Sequence, residues 1–175
     1  MLDNPRIEDL RRRVQEDPAS IAFAQLAEEL RRAGRLEEAV AECRSGLANH
    51  PSFVSARVTL GRALLEIGQL EDAQAELETV LGAAPGSFTA LRALGEIYQR
   101  RSLVPQALAQ FRKALALRYD PDLQQTVDEL ARIAPPTEIA AADSPASARR
   151  RTVRQVAALE RWLDAIHVAR TDRSA

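Results

Sequence analysis

The chain has 175 residues, enough for one domain with a tail, and a formal net charge of -1. That near-neutral balance disfavours a general nucleic-acid or membrane-surface binder, which needs a surplus of positive charge. Hydrophobic residues make up 46% but aromatics only 4%, so any core is built from Ala, Leu, Val and Ile, a palette suited to close-packed helices.

The opening, MLDNPRIEDL, carries early acids and no apolar stretch behind them, so no signal peptide is expected. No apolar run approaches the roughly 20 residues that cross a bilayer, and a cytoplasmic location is expected. Ile7, Leu10 and Val14 share one helical face before Pro18. Residues 1–19 therefore read as a leading half-unit or N-terminal cap, with its helix over 5–16.

Within 20–33, Phe23, Leu26, Ala27 and Leu30 recur at intervals of three and four, one face of a helix. Gly34 permits the left-handed backbone that ends it. A second amphipathic stretch runs from Leu36 to Leu47, with Glu37 and Glu38 in a first turn where the helix dipole favours acids. Pro51 cannot continue that helix, and Ser52 is placed to cap the next. The same grammar returns as 53–67 with 70–82 and as 88–101 with 104–117. After Asp120-Pro121, a cap and a first-turn proline, Leu123, Val127, Leu130 and Ile133 form one apolar stripe of a terminal capping helix.

Residues 135–150 are rich in Pro, Ala and Ser and read as a flexible linker. Helical spacing resumes over 151–172, where Val156, Leu159, Leu163 and Ile166 share a face beside Trp162, the one tryptophan of the chain. This last stretch is basic: residues 149–175 hold seven arginines and three acids, while the rest holds 17 basic and 22 acidic residues. An amphipathic helix on a tether must bury its face. It can fold back on the preceding helices, offer Trp162 as an anchor to a partner, do both as a lid, or lie on a membrane surface behind RRRTVR.

A shift of 34 lays the middle of the chain on itself. Leu26, Leu60 and Leu94 align, followed by Ala27, Gly61 and Gly95. Gly34 meets Gly68 and Ser102, Ala39 meets Ala73 and Ala107, and Cys43 meets Leu77 and Phe111. Pro51 and Pro85 close two units, with Tyr119 in the third place. The small residues at 27, 61 and 95 fall where paired helices must touch closely. A hairpin of this kind cannot bury its apolar face alone, so it stacks on the next.

The Leu-Gly pair, the recurring Ala and the closing Pro at a 34-residue period resemble the tetratricopeptide repeat family over 20–121, in three units. The resemblance implies an all-α fold: a right-handed α-α superhelix over 20–134, with a capping helix and then the tethered C-terminal helix. Three departures stand out. Arg57 replaces a large apolar residue, which predicts looser packing there; Ser102 replaces the turn glycine, and Tyr119 the closing proline.

In the family, the first helix of each unit lines a concave groove that binds polypeptide. That implies groove positions Ile21, Ala24, Gln25, Glu28, Arg31 and Arg32, then Ser55, Val58, Thr59, Arg62, Leu65 and Glu66, then Thr89, Arg92, Ala93, Glu96, Gln99 and Arg100. Five arginines face three glutamates in this set, so a ligand with acidic character and an apolar anchor is expected; the alternative is a solvated face with no ligand. The Lys/Asn clamp by which some members hold a chain's terminal carboxylate is absent: Ala24, Glu28, Thr59, Thr89 and Ala93 stand at its positions.

Catalytic and metal-binding constellations are not found. His50 reads as a turn residue, His167 as a surface one and Cys43 as a buried filler, and no nucleophile, zinc or phosphate-loop motif occurs. No enzyme activity, cofactor, metal or small-molecule substrate is expected. A single lysine among 24 basic residues points to a coding bias, as in a GC-rich bacterium. The expected role is an adaptor or scaffold for a protein or peptide partner. The alternatives are a self-assembling structural subunit, which leaves homo-oligomers open, and a regulator of a partner enzyme.

Overall fold

The computed structural model describes residues 4–17 and 20–133. These residues form eight helices and no strand: α1 (Pro5–Glu16), α2 (Ala22–Arg32), α3 (Leu36–Asn49), α4 (Val54–Ile67), α5 (Leu70–Ala83), α6 (Phe88–Arg100), α7 (Val104–Leu117) and α8 (Pro121–Ile133). The architecture is an all-α solenoid. Helices α2 and α3, α4 and α5, and α6 and α7 pair as three hairpins, each packed on the next, and α1 packs against α2. The linker expected at 135–150 and the helix expected at 151–172, with its candidate anchors Val156, Leu159, Trp162, Leu163 and Ile166, lie outside the described residues, as does His167.

Local chemistry sets the helix ends. Asn4 starts α1 by accepting the Arg6 N–H at 3.0 Å, with Pro5 in the first turn, and Ile7 and Leu10 are buried. The three hairpin turns use a left-handed residue at the repeat interval: Gly34 at φ 75°, Gly68 at φ 96° and Ser102 at φ 59°. Ser102 carries a side chain where the backbone favours none, at a cost of roughly 1–2 kcal/mol. Ser102→Gly relieves that strain against a smaller cost, the greater entropy that glycine gives the unfolded chain. It is expected to raise stability by about 1 kcal/mol, read as a rise of about 3 °C in thermal unfolding.

Ser52 does not cap α4. The capping place falls one residue later, at Phe53, which has no side-chain cap bond. The equivalent residue 34 positions on is Ser87, whose hydroxyl accepts the Ala90 N–H at 3.4 Å, and Asp120 caps α8 through the Leu123 N–H at 3.0 Å. Ile133 also departs from expectation: Leu123, Val127 and Leu130 are buried, but Ile133, the last described residue, is 73% exposed.

Close approach within the hairpins decides several residue types. A Cβ on Gly61 would sit 2.7 Å from Leu77 Cγ, and one on Gly95 would fall inside the Phe111 ring's van der Waals shell. In the first unit the same two places hold Ala27 and Cys43, both wholly buried. The small partner grows where its opposite number shrinks. Gly46 gives way in the same manner to the ring of Phe23. Arg57 does not loosen its junction: its guanidinium donates to the Pro51 carbonyl at 3.0 and 2.8 Å and to Glu76 at 2.7 Å. A charged side chain ties the turn to α5 where an apolar one was expected to pack.

Candidate peptide-binding groove

Helices α2, α4 and α6 touch one another in succession, so the first helices of the three units form a continuous wall. The residues expected to line a groove lie on this wall, but they are not equally available. Gln25, Arg32, Arg92, Gln99 and Arg100 are exposed, and Val58, Arg62 and Glu96 are half-buried. Leu65 and Thr59 are buried, so they form floor and do not reach toward a ligand.

Arg31 is also committed to the wall itself. Its side chain is 9% exposed and pairs with Glu28 at 2.9 Å and with Glu66 of the next helix. Glu28 is the hub. It accepts from Arg31 and Arg32 at 3.0 Å, takes the Thr59 hydroxyl at 3.3 Å, and has Arg62 at 3.7 Å. The Arg31 hydrogen bonds, opposed by burial and helped by Arg32 and Arg62, hold its carboxyl down at about 2. The same contacts raise Arg31 above the ordinary arginine value. Positions 28, 62 and 96 read Glu, Arg, Glu, and 32, 66 and 100 read Arg, Glu, Arg. Sign alternates from unit to unit along two rows, and Arg62 meets Glu28 at 3.7 Å between the first and second units.

The balance changes between α4 and α6. A hollow of about 370 Å³ is lined there by Arg62, Arg92, Arg100 and Arg118, with Glu66, Glu96, Phe88 and Thr89 among its other walls. Four guanidinium groups face two carboxylates. Glu66 is drawn to Arg31, outside the hollow, and Glu96 to Arg92 at 3.2 Å. Arg100 donates to the Leu65 carbonyl at 2.7 Å, and Arg118 lies over the Phe88 ring, 3.9 Å from its centroid. Among the described residues neither pairs with a carboxylate. Arg118 and Phe88 were not legible as groove residues: Arg118 stands at the repeat place of His50 and Ala84, and only the fold brings it beside α6.

A second hollow of about 370 Å³ lies one unit earlier, between α2 and α4, with Ile21, Ala24, Phe53 and Ser55 in its lining. Cys43 and His50 belong to the core side. Burial, with Glu28, Glu42 and Glu76 adding to it, pushes the Cys43 thiol up to about 12, and its Sγ lies 3.5 Å from the Ala56 carbonyl oxygen. His50 ends α3, its ring stacked on Phe23 at 5.9 Å.

Residues 30–97 match the family model of the tetratricopeptide repeat. These residues form tetratricopeptide repeats. The structure of the chain is similar to MamA 41-end from Desulfovibrio magneticus RS-1, with TM-score 0.65 and 23% identity over 90% of this chain and 85% of that one. It is similar to a thermophilic TPR protein of Thermus thermophilus, with TM-score 0.62 and 23% identity over 73% of this chain and 72% of that one. The first TPR of RPAP3, solved with an HSP90 peptide, superposes with TM-score 0.62 at 10% identity over 66% of this chain and 93% of that one. No curated protein matches the sequence significantly. No helix among the described residues is long and apolar enough to cross a membrane.

Proposed function

We propose that the protein is a non-catalytic interaction module that seats an acidic segment of a partner protein along α2, α4 and α6. The observation that carries this is the cationic surplus of the hollow between α4 and α6. Arg100 and Arg118 point their charge into a cleft without a carboxylate partner among the described residues. Guanidinium forks match carboxylates in two-point fashion, and a cleft strengthens the attraction relative to open water. The peptide held by the RPAP3 domain, SRMEEVD, itself contains adjacent glutamates, which supports peptide recognition on this fold without carrying any residue over.

The tail plays a separate part in this reading. Residues 149–175 carry seven arginines against three acids, a poor match for a cationic cleft, so it serves as a second partner-binding element with Trp162 as its anchor. Fluorescence anisotropy with a labelled peptide of two adjacent glutamates in a Gly/Ser background tests the groove. Wild type is expected to bind, a matching diglutamine peptide is expected not to, and Arg100→Ala with Arg118→Ala is expected to weaken binding at least tenfold. Equal binding of glutamate and glutamine peptides would sink the proposal.

A further inference from the structure

We infer that the segment held in this groove is bipartite: an apolar side chain seats between α2 and α4, and adjacent carboxylates seat between α4 and α6, about three residues away in an extended strand. This rests on the groove being an acidic-peptide site and goes on to say what else the peptide must carry, and where.

The two hollows are successive copies of one place in the repeat. Ser55 lines the first and Thr89, 34 positions on, lines the second, and each encloses about 370 Å³. Their contents differ. In the first hollow the charges cancel in place: Arg6 pairs with Glu29 at 3.2 Å and Arg32 with Glu28 at 3.0 Å. What that leaves for a ligand is uncharged: an apolar patch beside the neutral Gln25, Ser55 and Thr59. Ile21 is 58% exposed, a large aliphatic side chain in solvent, and Ala24 and Phe53 stand beside it. In the second hollow Arg62 is met by Glu28 at 3.7 Å and Arg92 by Glu96 at 3.2 Å and Asp120 at 3.8 Å. Arg100 and Arg118 have no carboxylate among the described residues, a surplus of two positive charges that two carboxylates neutralise.

Geometry sets the spacing. Successive inner helices pack with axes about 10 Å apart, and equivalent places in adjacent units are offset by about that distance. An extended chain advances about 3.3 Å per residue, so about three residues bridge the two hollows. A helical ligand, rising about 1.5 Å per residue, needs about seven. The narrow offset between a neutral apolar hollow and a cationic one makes the groove a ruler for spacing as well as for charge.

The test uses the full chain and a series of labelled diglutamate peptides in a Gly/Ser background, with one leucine placed one, three, four, seven or ten residues from the pair on either side. Tightest binding is expected with leucine three or four residues away on one side, about tenfold tighter than the leucine-free peptide. That gain is expected to disappear in Ile21→Ser, an exposed position where circular dichroism can verify the fold. Affinity indifferent to leucine position, an optimum near seven, or a gain that survives Ile21→Ser would each overturn the inference while leaving diglutamate binding intact. Failure of every peptide in the series would instead remove the groove reading beneath it.

Discussion

Gly95→Ala is expected to lower the melting temperature by about 10 °C. The added Cβ would fall within the van der Waals shell of Phe111, which is 1% exposed and cannot swing aside. Either the ring leaves its rotamer or α6 moves off α7, and overpacking of this kind costs about 2–3 kcal/mol. For an ordered body of this length that corresponds to a fall of about 10 °C. Because α6 carries Arg92, Glu96 and Arg100, the same shift displaces one wall of the cationic hollow. Diglutamate-peptide affinity should therefore weaken even at temperatures where the variant is folded. The control is the pair Gly95→Ala with Phe111→Cys, which reproduces the Ala27–Cys43 pairing of the first unit and should lose less than the sum of the two single substitutions. A Gly95→Ala protein that melts with wild type would mean that α6 and α7 do not meet as described.

Glu28→Gln is the second large effect, and it has a pH signature. Arg31 first, then Arg32 and Arg62, hold the Glu28 carboxyl at about 2 against an ordinary 4.5. A carboxyl lowered that far stores at most about 3 kcal/mol, and its partial exposure brings the expected loss to about 2 kcal/mol. The sign follows from linkage. A depressed carboxyl stabilises the fold fully above its unfolded value, and that contribution fades as pH falls from about 4.5 toward 2. Wild type is thus expected to exceed Glu28→Gln by about 2 kcal/mol at pH 7. The gap should narrow below pH 4.5 and close near pH 2. Chemical denaturation of both proteins across that range provides the measurement. A gap that is independent of pH would show that the glutamate acts by shape and not by charge.

Much of the fold was legible because its determinants are local and repeated. The turns at Gly34, Gly68 and Ser102 share one left-handed backbone, so a serine could be recognised as standing in for glycine from its place alone. The small residues at 27, 61 and 95 announced close helix contact for the same reason. Gly46 escaped notice because its repeat mates are Val80 and Ala114. The place is not small by rule. It is small only where Phe23 reaches into it, and the repeat mates of Phe23 are Arg57 and Leu91. Pairings that change from unit to unit leave no periodic trace. Ser52 misled for a related reason, since a good capping residue one place off the true helix start still looks like a cap.

The groove was legible in outline and not in charge state. Its eighteen positions follow from the period, and an arginine excess could be counted, but the count does not say which charges are already spent. Arg31 is consumed by Glu28 and Glu66 across two helices, while Arg118 enters the wall from the far end of α7. Periodicity, turn chemistry and composition by themselves determined that this chain is a stack of like helical hairpins, because each of those signals acts within a few residues or between identical neighbours. Tertiary structure alone decided which guanidinium groups remain unneutralised and where an apolar side chain is left in solvent. Those outcomes depend on distances between side chains from different helices, which no residue spacing encodes.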